Sequence, residues 1–194
     1  MTDLTQGNAN PYAPPISDIT VGNDAEFYVV ANDKFLVMFF GTAGIYIIYW
    51  LYRNWRAYAE ASGESISPAL RAVFAIFFIH SLFNRIREKL DAKSIVFKWR
   101  NNMGATLLVV LFLLGMVIDR IAILIVPLPA AQLASPLLIL PEAFFWLKAQ
   151  DAINHACRDV RGDRNADYST ANYVWLAVGL VIWGLTFYGA FLPD

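Results

Sequence analysis

The sequence has few charges and a single cysteine for its length. Cys157 has no partner within the chain, so an intramolecular disulfide is excluded. Charged residues make up 16% of the chain, against about 25% in a typical soluble domain. The net charge of −1 at pH 7 gives no support to nucleic-acid binding, which needs a basic surface. Residues 1–33 lack the basic and apolar regions of a secretory signal, and we expect them to form a largely disordered tail.

The chain does contain long apolar runs, and apolar residues reach 58% of the total. About 20 apolar residues, at about 1.5 Å each, form a helix that crosses a hydrocarbon core about 30 Å thick. The runs therefore predict one all-α transmembrane helical bundle over residues 34–194, of polytopic type. The predicted spans are residues 34–52, 103–126, 128–147 and 172–192.

The boundaries of these spans carry further signals. Tyrosines and tryptophans precede Arg53 and Arg56, as is typical of a membrane–water boundary. The run 128–147 contains several prolines, which bend or break helices. We therefore expect it to pair with 103–126 as a helical hairpin, kinked or broken, whose tip lies near Pro127 and Pro129.

Residues 68–90 form a more ambiguous segment, because their uninterrupted apolar part is too short to cross. Leu82, Phe83, Ile86 and Leu90 fall on one helical face, opposite His80, Asn84, Arg87 and Asp91. This pattern favours an interfacial or half-inserted amphipathic helix. With that helix outside the bilayer core and both termini outside the cell, 13 of the 15 basic residues face the cytoplasm. Five spans, which leave 11 basic residues inside, are the alternative.

Residues near the first span carry a resemblance to a known family. Lys34-Phe35, Thr42-Ala43-Gly44-Ile45-Tyr46 and the segment Tyr49-Trp50-Leu51-Tyr52-Arg53-Asn54-Trp55 resemble the opening of a bacterial membrane-protein family labelled only as a domain of unknown function. The resemblance continues through Pro68-Ala69-Leu70-Arg71 and recurs more loosely at Gln150-Asp151-Ala152-Ile153-Asn154. It implies a bacterial cytoplasmic membrane and several helical spans, and it implies no activity.

Three ionisable residues lie within the predicted spans and are candidate functional residues. Asp119 and Arg120 fall about 24 Å along their helix, where a boundary position competes with a functional one. Glu142 follows Pro141 in an apolar run. It is either a protonatable group beside a broken helix, or a carboxylate stabilised by the start of a helix.

A basic amphipathic segment offers the clearest partner signal. Its cations are candidate contacts for anionic lipid headgroups: Arg85, Arg87, Lys89, Lys93, Lys98 and Arg100. The alternative is that these residues only determine topology. His155 and Cys157 lie two residues apart, on different helical faces, and do not make a metal site.

These observations favour a non-enzymatic protein of the bacterial cytoplasmic membrane with an accessory or structural role. We expect it to bind lipid or another membrane protein, or to form a homo-oligomer, and to use no cofactor, metal or catalytic residue. A small transporter or channel that uses the Pro-broken hairpin is the alternative. A membrane-embedded enzyme is a third class.

Overall fold

The computed structural model describes residues 26–125 and 135–191, and its regular structure within these ranges is entirely helical, as predicted. The described α-helices are α1 (Asn32–Gly41), α2 (Tyr46–Ser62), α3 (Pro68–Val73), α4 (Ala75–Ala92), α5 (Asn101–Ile125), α6 (Ile139–Ala156) and α7 (Thr170–Phe191). Short 3₁₀ turns cover Ser135–Leu138 and Asp163–Asn165. The predicted hairpin tip at Pro127 and Pro129 lies outside the described residues.

The predicted tail differs from the structure where the two can be compared. Residues 1–25 lie outside the described ranges. The following segment, expected to be part of the tail, packs in the core through Phe27, Val29 and Val30. Its apolar side chains are few, so composition does not distinguish it from a tail; its long-range partners in α2 and α6 hold it in place.

Residues 34–52 do not form one helix, and this corrects the first predicted span. Helix α1 ends at Gly41 and α2 begins at Tyr46, with Ala43 and Gly44 between them at φ angles of 51° and 82°. Left-handed φ values reverse the chain direction, and glycine adopts them without steric cost. The two helices therefore form a hairpin, and the segment before α1 lies against the middle of α2, where the Tyr28 backbone N–H donates to Asn54.

Thr42 closes the turn of this hairpin. Its Oγ1 donates to the Met38 carbonyl oxygen at 2.7 Å and accepts the Tyr46 backbone N–H at 3.0 Å. One side chain thus satisfies backbone groups at the end of α1 and at the start of α2, where a helix leaves them without partners.

The segment 68–90 is helical as predicted, but it is divided at Phe74 into α3 and α4. Ser67 accepts the Leu70 backbone N–H at 3.4 Å and Pro68 occupies the first turn, a favourable helix start. The predicted apolar face of α4 is buried, but it packs against protein. Leu82, Phe83, Ile86 and Leu90 are all fully buried.

Helices α5 and α6 pack against each other as the predicted hairpin required, and α4 packs beside them. Helix α6 shares only residues 139–147 with the predicted span 128–147 and continues beyond it to Ala156. His80 lies 3.0 Å from the Thr106 hydroxyl, and Asn101 donates to Asn84 at 2.6 Å, so α4 runs antiparallel to α5. At the far end of α6, the rings of Phe97 and His155 lie 4.7 Å apart. The start of α5 and the end of α6 thus share one end of the molecule.

Helix α7 packs against α1 and runs in the same direction. Lys34 contacts the loop before α7, while the Trp183 indole donates to the Phe40 carbonyl oxygen at 2.8 Å. Gly41 and Gly179 allow the two backbones to touch, since a Cβ on Gly179 would overlap the carbonyl oxygen of Gly41. Small residues permit this close approach of helices.

Two helices in the described ranges are long and apolar enough to cross a membrane, namely the segments 101–122 of α5 and 170–189 of α7. Only 17% and 6% of their most apolar stretches are buried, whereas the core helix of a soluble protein is mostly buried. Length, composition and exposure together suggest a membrane protein. The other two predicted spans do not pass the same test within the described residues.

Candidate functional site

A buried polar cluster joins the segment before α1 to α2 and α6. Asn54, Gln150 and Asn154 are all completely buried. Asn54 accepts the Tyr28 backbone N–H, and Asn154 donates to the Val30 carbonyl oxygen at 2.9 Å.

Gln150 connects the members of this cluster. It accepts the Trp50 indole N–H at 2.5 Å and donates to Asn154 at 2.7 Å. Buried amides are tolerated when their hydrogen bonds are made, and such networks fix one packing arrangement. Trp50, Asn54, Gln150 and Asn154 therefore form a structural cluster that holds the segment 28–30 against α2 and α6.

A groove of about 1010 Å³ runs between α2 and the start of α7, with α1 at its base. One end is apolar and aromatic, with walls that include Met38, Ile45, Ile48 and Trp175. The other end carries six ionisable side chains: Lys34, Arg53, Arg56, Glu60, Arg164 and Asp167. We call this feature the α2–α7 groove.

Lys34 supplies a buried positive charge to the groove, although the sequence placed it at a span boundary. Its side chain is 3% exposed, and Nζ donates to Asn165 Oδ1 at 2.6 Å and to the Asp167 carbonyl oxygen at 2.5 Å. Burial lowers the pKa of the Lys34 ammonium, and the charge of Asp167 partly opposes that shift. Among the described residues, no carboxylate forms an ion pair with Lys34.

Arg53 supplies the second cation. Its Nη1 donates to the Tyr49 hydroxyl at 2.7 Å, and its guanidinium lies 4.5 Å from the centre of the Tyr28 ring. The aromatic face holds the cation by cation–π attraction without neutralising it. Within the described ranges Arg53 also forms no ion pair with a carboxylate.

The other two groove cations have carboxylate partners. Arg56 pairs with Glu60 at 2.7 Å, and Arg164 lies 3.7 Å from Asp159. Lys34 and Arg53 are therefore the groove cations without an ion-pair partner among the described residues, and the charge of Asp167 opposes only that of Lys34, in part.

Four of the six predicted lipid-headgroup contacts have partners within the protein. Arg85 pairs with Glu64, and Lys89 pairs with Glu26. Arg87 donates to the carbonyl oxygens of Phe97 and Trp99, and Lys93 donates to that of Ala156. Lys98 and Arg100 are exposed just before α5 and are free to meet a membrane surface.

The candidate residues within the predicted spans are partly brought together. Asp119 and Glu142 line the same cavity of about 300 Å³, beside Gly44 at the turn of the α1–α2 hairpin. Arg120 is exposed and is not among the lining residues. The sequence placed Glu142 near the end of a predicted span, 128–147. Helix α6 continues to Ala156, about 21 Å beyond Glu142.

Sequence reasoning missed that Lys34 and Arg53 line the same groove. A local signal existed for Arg53, because Tyr49 lies four residues earlier and shares its helical face. No local signal joins Lys34 to Asn165, which is 131 positions away. Comparison with models of protein families, with curated proteins and with solved structures finds no match.

Proposed function

We propose that the chain is a multi-pass, non-catalytic protein of the bacterial cytoplasmic membrane that binds lipid or another membrane protein. The observation that carries this proposal is the apolar, largely unburied surface of α5 and α7. Exposed apolar surface of this extent is unfavourable in water and favourable in the hydrocarbon core of a bilayer.

The α1–α2 hairpin supports three crossings, by α5, α6 and α7, in place of four. Tyr28 and Asn54 are hydrogen-bonded, so residues 34–52 begin and end on the same side of the bilayer. Gly41 meets Gly179, about 14 Å along α7, so the hairpin reaches about halfway through the core. The α1–α2 hairpin is then re-entrant, and α3 with the start of α4 is half-inserted.

The distribution of basic residues agrees with this topology. Of the 15 lysines and arginines, Arg120 is the one in the far half of a crossing helix. The remaining 14 lie towards the end where α5 and α7 start. The positive-inside rule then orients that end towards the cytoplasm. Three crossings place 14 of the 15 basic residues on the cytoplasmic side, whereas four spans place 13 there.

Cysteine labelling tests this topology. Single cysteines at Asp33, Ser62 and Ser169, in a Cys157→Ala background, are labelled in cells with a membrane-impermeant maleimide, and a reporter is fused after Asp194. We expect all three cysteines to react only after the cells are opened, and the reporter to be active outside. External labelling of Asp33→Cys with internal labelling of Ser62→Cys restores the four-span topology. External labelling of all three overturns the orientation.

The proposed accessory role is tested by identifying the molecules that remain bound to the protein during purification. We expect isolation in mild detergent or native lipid discs to retain a membrane-protein partner or anionic lipid at stoichiometric level, read by mass spectrometry. Isolation with neither a partner nor a lipid preference contradicts the role.

A second candidate function, a small transporter or channel, is favoured by the shared cavity of Asp119 and Glu142. Carboxylates within a bilayer beside a broken helix are a recurring feature of ion pathways. In proteoliposomes with a pH-sensitive dye, Glu142→Gln is expected to abolish proton flux if this function holds. Glu60→Gln, an exposed control, should leave the flux unchanged. Equal flux in both variants, or none in the unmodified protein, removes this candidate.

A further inference from the structure

The α2–α7 groove has a gradient of polarity along its length. Its deeper walls include Ile45, Ile48 and Trp175, each at least 39% exposed. Its other end carries Lys34 and Arg53 without carboxylate partners among the described residues. Exposed apolar walls that lead to uncompensated cations match a ligand with a hydrocarbon part and an anionic end.

The depth of these two ends fits a bilayer, if the topology proposed above holds. Lys34 lies in the first turn of α1 and contacts the loop before α7, and Arg53 lies midway along α2 against the Tyr28 ring. The turn of the hairpin lies deeper, beside Gly179. The cations are thus at the level of lipid headgroups, and the apolar walls are at the level of acyl chains.

We propose that the α2–α7 groove is a binding site for one anionic phospholipid of the cytoplasmic leaflet. Arg53 and Lys34 hold the phosphate, and the acyl chains lie along Ile45, Ile48 and Trp175. A phosphodiester supplies the negative charge that the groove lacks, and Arg recognises phosphate oxygens through paired N–H donors. The cavity of about 1010 Å³ is at the upper end of the range for small-molecule sites, as a ligand of this size requires. A helix of a partner protein would fill the apolar part but would bring no phosphate to Lys34.

This site differs from the exposed pair Lys98 and Arg100. Those residues attract any anionic surface, with an energy on the order of 1 kcal/mol per charge. The groove adds apolar walls and a buried ammonium. Every phospholipid brings a phosphodiester, but a zwitterionic lipid also brings an ammonium beside Lys34 and Arg53, so the groove favours lipids whose headgroup has a net negative charge. The inference depends on the proposed location in a membrane and names the lipid class that the protein retains.

Native mass spectrometry with matched lipids tests the proposal. The purified full chain in detergent is titrated with phosphatidylglycerol or phosphatidylcholine of identical acyl chains. We expect one phosphatidylglycerol to bind at least about tenfold more tightly than phosphatidylcholine. Arg53→Gln should weaken that binding about fivefold, the equivalent of one headgroup charge. Arg100→Gln removes the same charge from the exposed surface and should change the binding less than twofold.

A second pair of variants tests the apolar walls without touching the cations. Ile48→Asn places an amide in the groove, and Val174→Asn places one on an exposed face of α7 outside it. We expect only Ile48→Asn to weaken phosphatidylglycerol binding, so the result does not depend on the folding of the Arg53 variant.

Three results overturn the proposal: equal binding of the two lipids, equal losses in Arg53→Gln and Arg100→Gln, or equal losses in Ile48→Asn and Val174→Asn. Absence of a lipid preference with the expected labelling pattern rejects the groove site alone. A four-span labelling pattern instead rejects the proposed topology, whatever the lipid result.

Discussion

The backbone N–H of Tyr28 donates to Asn54 Oδ1 at 3.0 Å, although 26 residues separate the two in sequence. The Asn54 amide nitrogen donates in turn to the Trp50 carbonyl oxygen at 2.9 Å, which fixes the orientation of the acceptor. The residues between Tyr28 and Asn54 contain the apolar run that hydropathy assigns to the first span. The two flanks of this run are 3.0 Å apart at this hydrogen bond, whereas a helix that crosses a bilayer separates its ends by about 30 Å. The run therefore turns back on itself, and the hydrogen bond between Tyr28 and Asn54 joins its two ends.

Replacement of Asn54 by alanine is expected to destabilise the protein. The change leaves the Tyr28 N–H without its acceptor in a buried site, at a cost of about 1–3 kcal/mol. Thermal unfolding in detergent, followed by circular dichroism, should show a lower midpoint. Asn102→Ala, at an exposed position of α5, is the control and should cost less than about 0.5 kcal/mol. Equal midpoints for the two variants would contradict a structural role for Asn54.

Helical periodicity predicted the parts of the fold that repeat locally. The apolar face of α4 at Leu82, Phe83, Ile86 and Leu90 is the buried face, and residues 103–125 of the predicted span 103–126 form most of α5. The pairing of α5 with the next helix also followed from the sequence, because a short proline-containing connection favours an antiparallel neighbour. These inferences needed only residues within one or two helical turns of each other.

The α1–α2 hairpin and the groove were not predictable by the same means. An apolar run that turns back at Thr42-Ala43-Gly44 has the same hydropathy as one that crosses, and a single glycine is common in crossing helices. Lys34 has the position of a boundary residue, yet it is buried by Asn165 and Asp167 from the other end of the chain. Contacts between residues so far apart in the chain produce no periodic pattern of apolar and polar residues in the sequence.

Alanine at Gly179 is expected to separate α7 from α1. The added Cβ would overlap the Gly41 carbonyl oxygen and lie 2.7 Å from the Thr42 Cα, both of which are backbone atoms that cannot rotate away. Overpacking of this kind costs about 1–3 kcal/mol. The unfolding midpoint should fall, and limited proteolysis of the loop before α7 should become faster.

Gly184→Ala is the matched control on the same helix, because a Cβ there meets no atom within 4 Å. Alanine favours helix over glycine, so this variant should be neutral or slightly more stable. A loss of stability of similar size in both variants would show that glycine is needed for another reason than contact with α1.

Cys157 is expected to react slowly with thiol reagents in the folded protein. Its side chain is 1% exposed, and burial raises the pKa of the thiol, so that little of the reactive thiolate is present at neutral pH. Alkylation by N-ethylmaleimide at pH 7, read by mass spectrometry, should be at least about tenfold slower than that of an exposed Ser169→Cys thiol in a Cys157→Ala background. Full reactivity of both in denaturant is the control. Equal rates in the folded protein would show that the contact between the Cys157 thiol and the Phe27 carbonyl oxygen opens readily.

Glu64 gives the protein a stability that depends on pH. The Tyr58 hydroxyl donates to its carboxylate at 2.7 Å and Arg85 pairs with it at 3.0 Å. The hydrogen bond from Tyr58 and the charge of Arg85 hold the pKa of the Glu64 carboxyl below its usual range. A lowered folded pKa means that the stabilisation is complete above the unfolded pKa, about 4.3, and disappears as the pH falls through the folded pKa. The unmodified protein should therefore have a higher unfolding midpoint than Glu64→Gln at pH 7. The difference should shrink as the pH falls below about 4.3 and vanish only below the pKa of Glu64 in the folded protein. Glu60→Gln, whose carboxylate forms an exposed pair with Arg56, should show little difference at either pH. A difference for Glu64→Gln that persists unchanged at low pH would mean that the shape of the side chain, and not its charge, provides the stabilisation.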